Sequence, residues 1–164
     1  MSLVQYPTPE WLEESAKKYR ANPKFQKELH KITANMYYRI KAEPAWGIDE
    51  DILFGINVED GELLEISFVS EAEAKEKADY LMAATPQEWK SLLRKNTKFL
   101  TDFMTGKITL ELGSKVGVLG LAPHANTLID ALTPGEIQFP DEMTTEELEQ
   151  LRADVAGFRA ELGV

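Results

Sequence analysis

Hydrophobic positions in this chain follow helical spacing at both ends and alternate in between. Thr8 followed by Pro9 predicts a helix start, a side-chain cap and then a proline that lacks an N–H the first turn has no use for. Trp11, Leu12, Ala16 and Tyr19 fall on one stripe, and Asn22-Pro23 repeats the punctuation before Phe25, Leu29 and Ile32. Two helices, or one broken near Asn22, are expected over about 9–33. The period then drops to two. Met36, Tyr38 and Ile40 oppose Tyr37, Arg39 and Lys41 in a first strand. Ile52, Phe54, Ile56 and Val58 alternate up to Asp60-Gly61, and Leu64, Ile66 and Phe68 alternate beyond it, which predicts a β-hairpin.

The segment 70–77 is charged and alanine-containing, as in a short exposed helix, and 79–84 is a third apolar run, read as a short strand. Thr85-x-x-Glu88 is a capping box with Pro86 at the first helical position, followed by an apolar face of Trp89, Leu92 and Leu93. Phe99, Leu100, Phe103 and Met104 form a further apolar face that stops at Gly106. In the next strand Ile108, Leu110 and Leu112 are expected to point one way and Lys107, Thr109 and Glu111 the other. A glycine-broken apolar segment, 116–121, precedes a helix begun at Pro123 that carries Leu128, Ile129 and Leu132. Thr144-x-x-Glu147 is a second capping box, opening a helix with Leu148, Leu151, Val155, Phe158 and Leu162 at steps of three and four. Helices before and after a hairpin-based sheet make the class α+β, in one domain over 1–164.

Composition narrows the chemistry. With no cysteine, disulfides, thiolate catalysis and cysteine zinc sites are excluded. The formal net charge of −10 disfavours nucleic acid as a partner. The charge is uneven, with eight Lys or Arg against four acids over 10–41 and eight acids against two Arg over 136–161. That is either a solvated helical face or a basic end that meets a lipid headgroup layer in transient membrane contact. No apolar run is long enough to cross a membrane and no leader is expected, so the expected setting is cytoplasmic. His30 and His124 belong to no ligand pattern, and phosphate-loop, dinucleotide and nucleophile-elbow motifs are missing, so neither a metal nor a cofactor is implied. Asp102 and Asp130 each interrupt an apolar stretch, where a carboxylate needs a partner.

What remains is apolar surface in excess of what a sheet of about five strands needs, with Gly117 and Gly120 leaving room for a close backbone or a ligand chain. The anchors Asp79-Tyr80, Pro86-Gln87-Glu88-Trp89, Phe103-Met104-x-Gly106-Lys107-Ile108 and Leu112-Gly113 resemble the core of the sterol carrier protein 2 family over about 25–132. The resemblance implies a five-stranded mixed sheet flanked by helices, with an apolar tunnel that holds a fatty acid, acyl thioester or sterol-like lipid without catalysis. Carried over to this chain, the wall would be Leu81, Trp89, Leu92, Leu93, Phe99, Phe103, Met104, Ile108, Leu110, Val118, Leu119 and Leu121. Ser114 stands where the family has an acid or amide. The added helix over 144–162 would cap the tunnel, extend the core or pair two subunits. Two other readings stay open: an interaction module that dimerises through that helix, and a small enzyme on the same cavity using Asp102 or His124 as base.

Overall fold

The computed structural model describes residues 3–164. In chain order the elements are β1 (Leu3–Gln5), α1 (Pro9–Ala21), α2 (Pro23–Glu28), β2 (Ala34–Ile40), β3 (Ile52–Glu59), β4 (Glu62–Val69), α3 (Glu71–Lys77), β5 (Tyr80–Ala84), α4 (Pro86–Leu93), α5 (Phe99–Met104), β6 (Thr109–Leu112), α6 (Lys115–Leu121), α7 (Ala125–Ala131), β7 (Glu136–Gln138) and α8 (Thr145–Leu162).

Five strands form one sheet in the order β4-β3-β2-β5-β6. The β2–β5 pair is parallel and the other pairs antiparallel, so the sheet is mixed. The β3–β4 turn is Asp60-Gly61 with φ of 48° and 80°, the left-handed pair that a two-residue hairpin of this twist requires. A Cβ on Gly61 would also lie 2.4 Å from the Gln26 carbonyl oxygen, so glycine is required there on both counts. β5 occupies the sheet interior. Leu81, Met82, Ala83 and Ala84 are all buried, which explains why this strand reads as a continuous apolar run and not an alternation.

The two faces of the sheet carry separate cores. Met36, Tyr38, Ile40, Phe54, Ile56 and Met82 point to the larger one, which α1, α4 and α7 cover. Tyr37, Leu53, Val69 and Leu81 point to the smaller one, closed by Ala74 of α3. Two bulges correct the simple alternation. In β4 the register slips so that Val58 faces Leu63 and Asn57 faces Glu65, which leaves Leu64 unpaired and 51 % exposed while Leu63 is buried. In β6, Leu110 pairs with Met82 and Leu112 with Leu81. Glu111 is the extra residue, and Leu112 goes to the smaller core instead of sharing a face with Leu110.

The termini add a second, two-stranded parallel sheet between β1 and β7. It buries Val4 and Ile137, with Tyr6 and Phe139 beside them. The helix over 145–162 extends the core. Leu151 and Val155 are buried, and Phe158 stacks on Phe68 with centroids 4.9 Å apart.

Candidate functional site

An apolar cavity of about 60 Å³ lies between the larger face of the sheet and the helices above it. Its floor is Met36 and Tyr38 of β2, Phe54 of β3 and Met82 of β5. Its walls are Trp11 of α1, then Trp89, Leu92 and Leu93 of α4, with Phe99 of α5. Leu121, Ala125, Leu128, Ile129 and Leu132, in and around α6 and α7, form the roof, and Tyr6 contributes from beyond β1. No lining residue carries a formal charge.

Local chemistry explains why these residues meet. The Thr85–Glu88 capping box closes with bonds of 3.1 and 3.0 Å and fixes the start of α4. From there Trp89 faces the sheet and donates its indole N–H to the Arg39 carbonyl at 3.0 Å. Trp11 donates in the same way to the Leu132 carbonyl at 2.8 Å, which ties α1 to the end of α7. Tyr38 stacks on Phe54 at 5.2 Å and meets Trp89 edge-on at 5.7 Å. Two wider clefts, of about 570 and 550 Å³, lie along β7 and between 47–50 and α8. Both are open and partly polar, and neither is built like an apolar binding site.

No protein-family model matches this sequence, and no curated protein matches it. Solved structures do. A conserved hypothetical protein of Thermus thermophilus, proposed as a sterol carrier protein, superposes with TM-score 0.70 at 18 % identity over 79 % of this chain and 89 % of its own. A crystal structure of sterol carrier protein 2 gives TM-score 0.63 at 19 % identity, over 77 % of this chain and 94 % of its own. The palmitated form of a sterol carrier protein 2-like protein of Aedes aegypti gives 0.51 at 15 %, over 70 % and 90 %. The chain has a sterol carrier protein 2-like fold.

Within that fold, Trp89, Leu92, Leu93, Phe99 and Leu121 of the expected wall do line the cavity. Phe103 and Leu110 pack half-buried against the larger core, and Ile108 and Val118 lie inside it, all outside the cavity lining. Leu81 points through the opposite face of the sheet into the smaller core. Met104 and Leu119 are on the surface, 68 % and 43 % exposed. Gly117 does leave room for a close approach, but Tyr80 fills it: a Cβ there would lie 2.1 Å from the Tyr80 hydroxyl. Gly120 faces open space.

The lining residues not anticipated come from the sheet floor, α1, α7 and Tyr6. Their apolar character was visible, but which sheet face would carry the cavity was not. The carboxylate of Asp102 is buried and accepts a 2.6 Å hydrogen bond from Thr97, while its backbone carbonyl accepts from Lys107 and Ile108. Asp102, Asp130 and His124 all lie outside the cavity lining. Among the described residues no cluster of His, Asp or Glu is arranged to hold a metal, and no helix is long and apolar enough to cross a membrane.

Proposed function

We propose that this protein binds and carries an apolar lipid between the larger face of its sheet and α4–α7, performing no chemistry on it. The observation that carries the reading is a cavity walled by aromatic and aliphatic side chains, without a charged group, on a sterol carrier protein 2-like fold. The palmitated Aedes aegypti structure supports an acyl chain as one class of cargo. Burial of a chain contributes about 0.8 kcal/mol per methylene, so a long one binds without a charged anchor.

The alternatives have less support. Asp102 is held by Thr97, and His124 is outside the cavity lining, so a base at the cavity has no candidate among them. A module dimerising through α8 would need a free apolar stripe, but Leu151, Val155 and Phe158 spend theirs on this chain's own core. Loading is through α5 and α6, where Leu100, Met104, Val116 and Leu119 are exposed and suited to brief contact with a membrane in the cytoplasm. The basic end is a weaker candidate for that contact. Lys18 caps the Asp130 and Thr133 carbonyls, Arg20 bonds the Leu63 and Leu64 carbonyls, and Arg39 is buried.

Native mass spectrometry of freshly purified protein, with organic extraction of whatever is bound, tests the function. The expected result is a discrete added mass that extracts as a lipid. A bare chain that afterwards takes up neither a fluorescent fatty acid nor a neutral lipid probe would overturn the reading.

A further inference from the structure

Four side chains of the cavity wall carry an N–H or O–H: Tyr6, Trp11, Tyr38 and Trp89. The two lining indoles donate to the Leu132 and Arg39 carbonyls. The Tyr38 hydroxyl makes no hydrogen bond, and neither does that of Tyr6, which is completely buried. A buried hydroxyl left unpaired costs about 1–3 kcal/mol, so its presence calls for an acceptor. Its ring is held by Trp11 at 4.9 Å and Phe139 at 5.0 Å, so it cannot swing out to water without breaking that cluster. A buried water needs two to four polar partners, and beyond these two hydroxyls no lining side chain has a free N–H or O–H.

We propose that the cargo is a neutral lipid with a hydrogen-bond-accepting end, a hydroxyl or carbonyl oxygen, that takes the Tyr6 hydroxyl as its donor. This rests on the lipid-carrier reading above. The absence of Lys, Arg and His from the lining excludes an anion as the preferred end group, because a carboxylate placed there would be desolvated with no cation to pair it. Lys90 and Arg94 sit over the Phe139 ring, outside the lining, and are bound to Asp141 and Glu142. Burial also pushes the Tyr6 phenol well above its ordinary pKa, which keeps it a donor throughout the physiological range.

The test is displacement of N-phenyl-1-naphthylamine by 1-dodecanol, dodecane and dodecanoate at pH 8, on the full chain and its Tyr6→Phe variant. The wild-type protein is expected to bind dodecanol more tightly than dodecane or dodecanoate. Tyr6→Phe should weaken dodecanol about tenfold, leave dodecane unchanged, and melt no lower than wild type, since it removes an unpaired hydroxyl. Equal changes for dodecanol and dodecane, or no change in either, would overturn the proposal, as would a preference for dodecanoate. A wild-type protein that binds none of these probes would refute the carrier reading itself, and this inference with it.

Discussion

Arg39 shows what a single side chain does on the far face of the sheet. Its side chain is 10 % exposed, and its nitrogens meet Glu111 at 2.9 Å, Asp51 at 3.2 Å, and Glu71. The three carboxylates come from β6, the loop before β3, and α3, so one guanidinium ties three parts of the chain together. Removal of one partner of a buried pair typically costs about 3–5 kcal/mol. These acids are half-exposed, and water offsets part of that, so Arg39→Met is expected to cost about 2–3 kcal/mol in urea denaturation at pH 7. The same cluster sets an acid limb. The hydrogen bond from Arg39, and then its charge, hold the Glu71 carboxyl below the usual carboxylate range. A folded pKa below the unfolded one contributes stability above the unfolded value and loses it as pH falls through the folded one. The urea midpoint should therefore fall below about pH 4.5, and Glu71→Gln should lower it at pH 7 and flatten that fall. An acid limb of unchanged slope in Glu71→Gln would remove Glu71 from the account.

At the scale of elements, the legible parts of the chain are those specified by contiguous residues. Asp60-Gly61 fixes its hairpin, and Thr85/Glu88 and Thr144/Glu147 fix their helix starts, because each device closes its hydrogen bonds within four residues. The bulges at Leu64 and Glu111 were not legible, because a one-residue slip is decided by the partner strand. The pairing of β1 with β7 has no local signal either, since three-residue strands so far apart in the chain are specified only by tertiary contact. The cavity was half legible for the same reason. α4 announces its apolar face, but Tyr6, Trp11 and Phe54 join it only through tertiary contact. The α8 helix offered three roles, and its contacts favour extension of the core: Arg152 bonds the Pro44 carbonyl at 2.6 Å and pairs with Asp49, and Arg159 bonds the Glu50 carbonyl at 3.0 Å. Leu151→Ala should then cost about 2–5 kcal/mol in urea while leaving the mass in solution unchanged by light scattering. A change from dimer to monomer at unchanged stability would assign α8 to a subunit interface instead.

For the whole molecule, the size of the cavity is the controlling fact. At about 60 Å³ it is well below the 300–1,000 Å³ usual for ligand pockets, so on the proposed carrier reading a lipid would have to part the layers to enter. The sheet is the layer that stays. β2 and β5 are paired on both edges and buried on both faces. On the helical side, α5 fully buries only Asp102 and α6 only Val118, with Phe99, Phe103 and Leu121 half-buried, so these short helices would be the cheaper layer to move outward. On that reading the lipid chain would lie against α7, where Ala125 is the smallest side chain of the roof. Ala125→Leu puts three carbons into space the lipid would otherwise use, while the closed protein has room to take up part of them. The melting temperature should hold within a few degrees, and the longest 1-alkanol accepted, from octanol to hexadecanol, should shorten. Each methylene excluded removes about 0.8 kcal/mol, or roughly a fourfold loss of affinity. The loss should be steepest for hexadecanol and slight for octanol. A length profile that superposes on wild type would mean that the chain does not run beneath α7, and would move the binding space to the α5 side of the cavity.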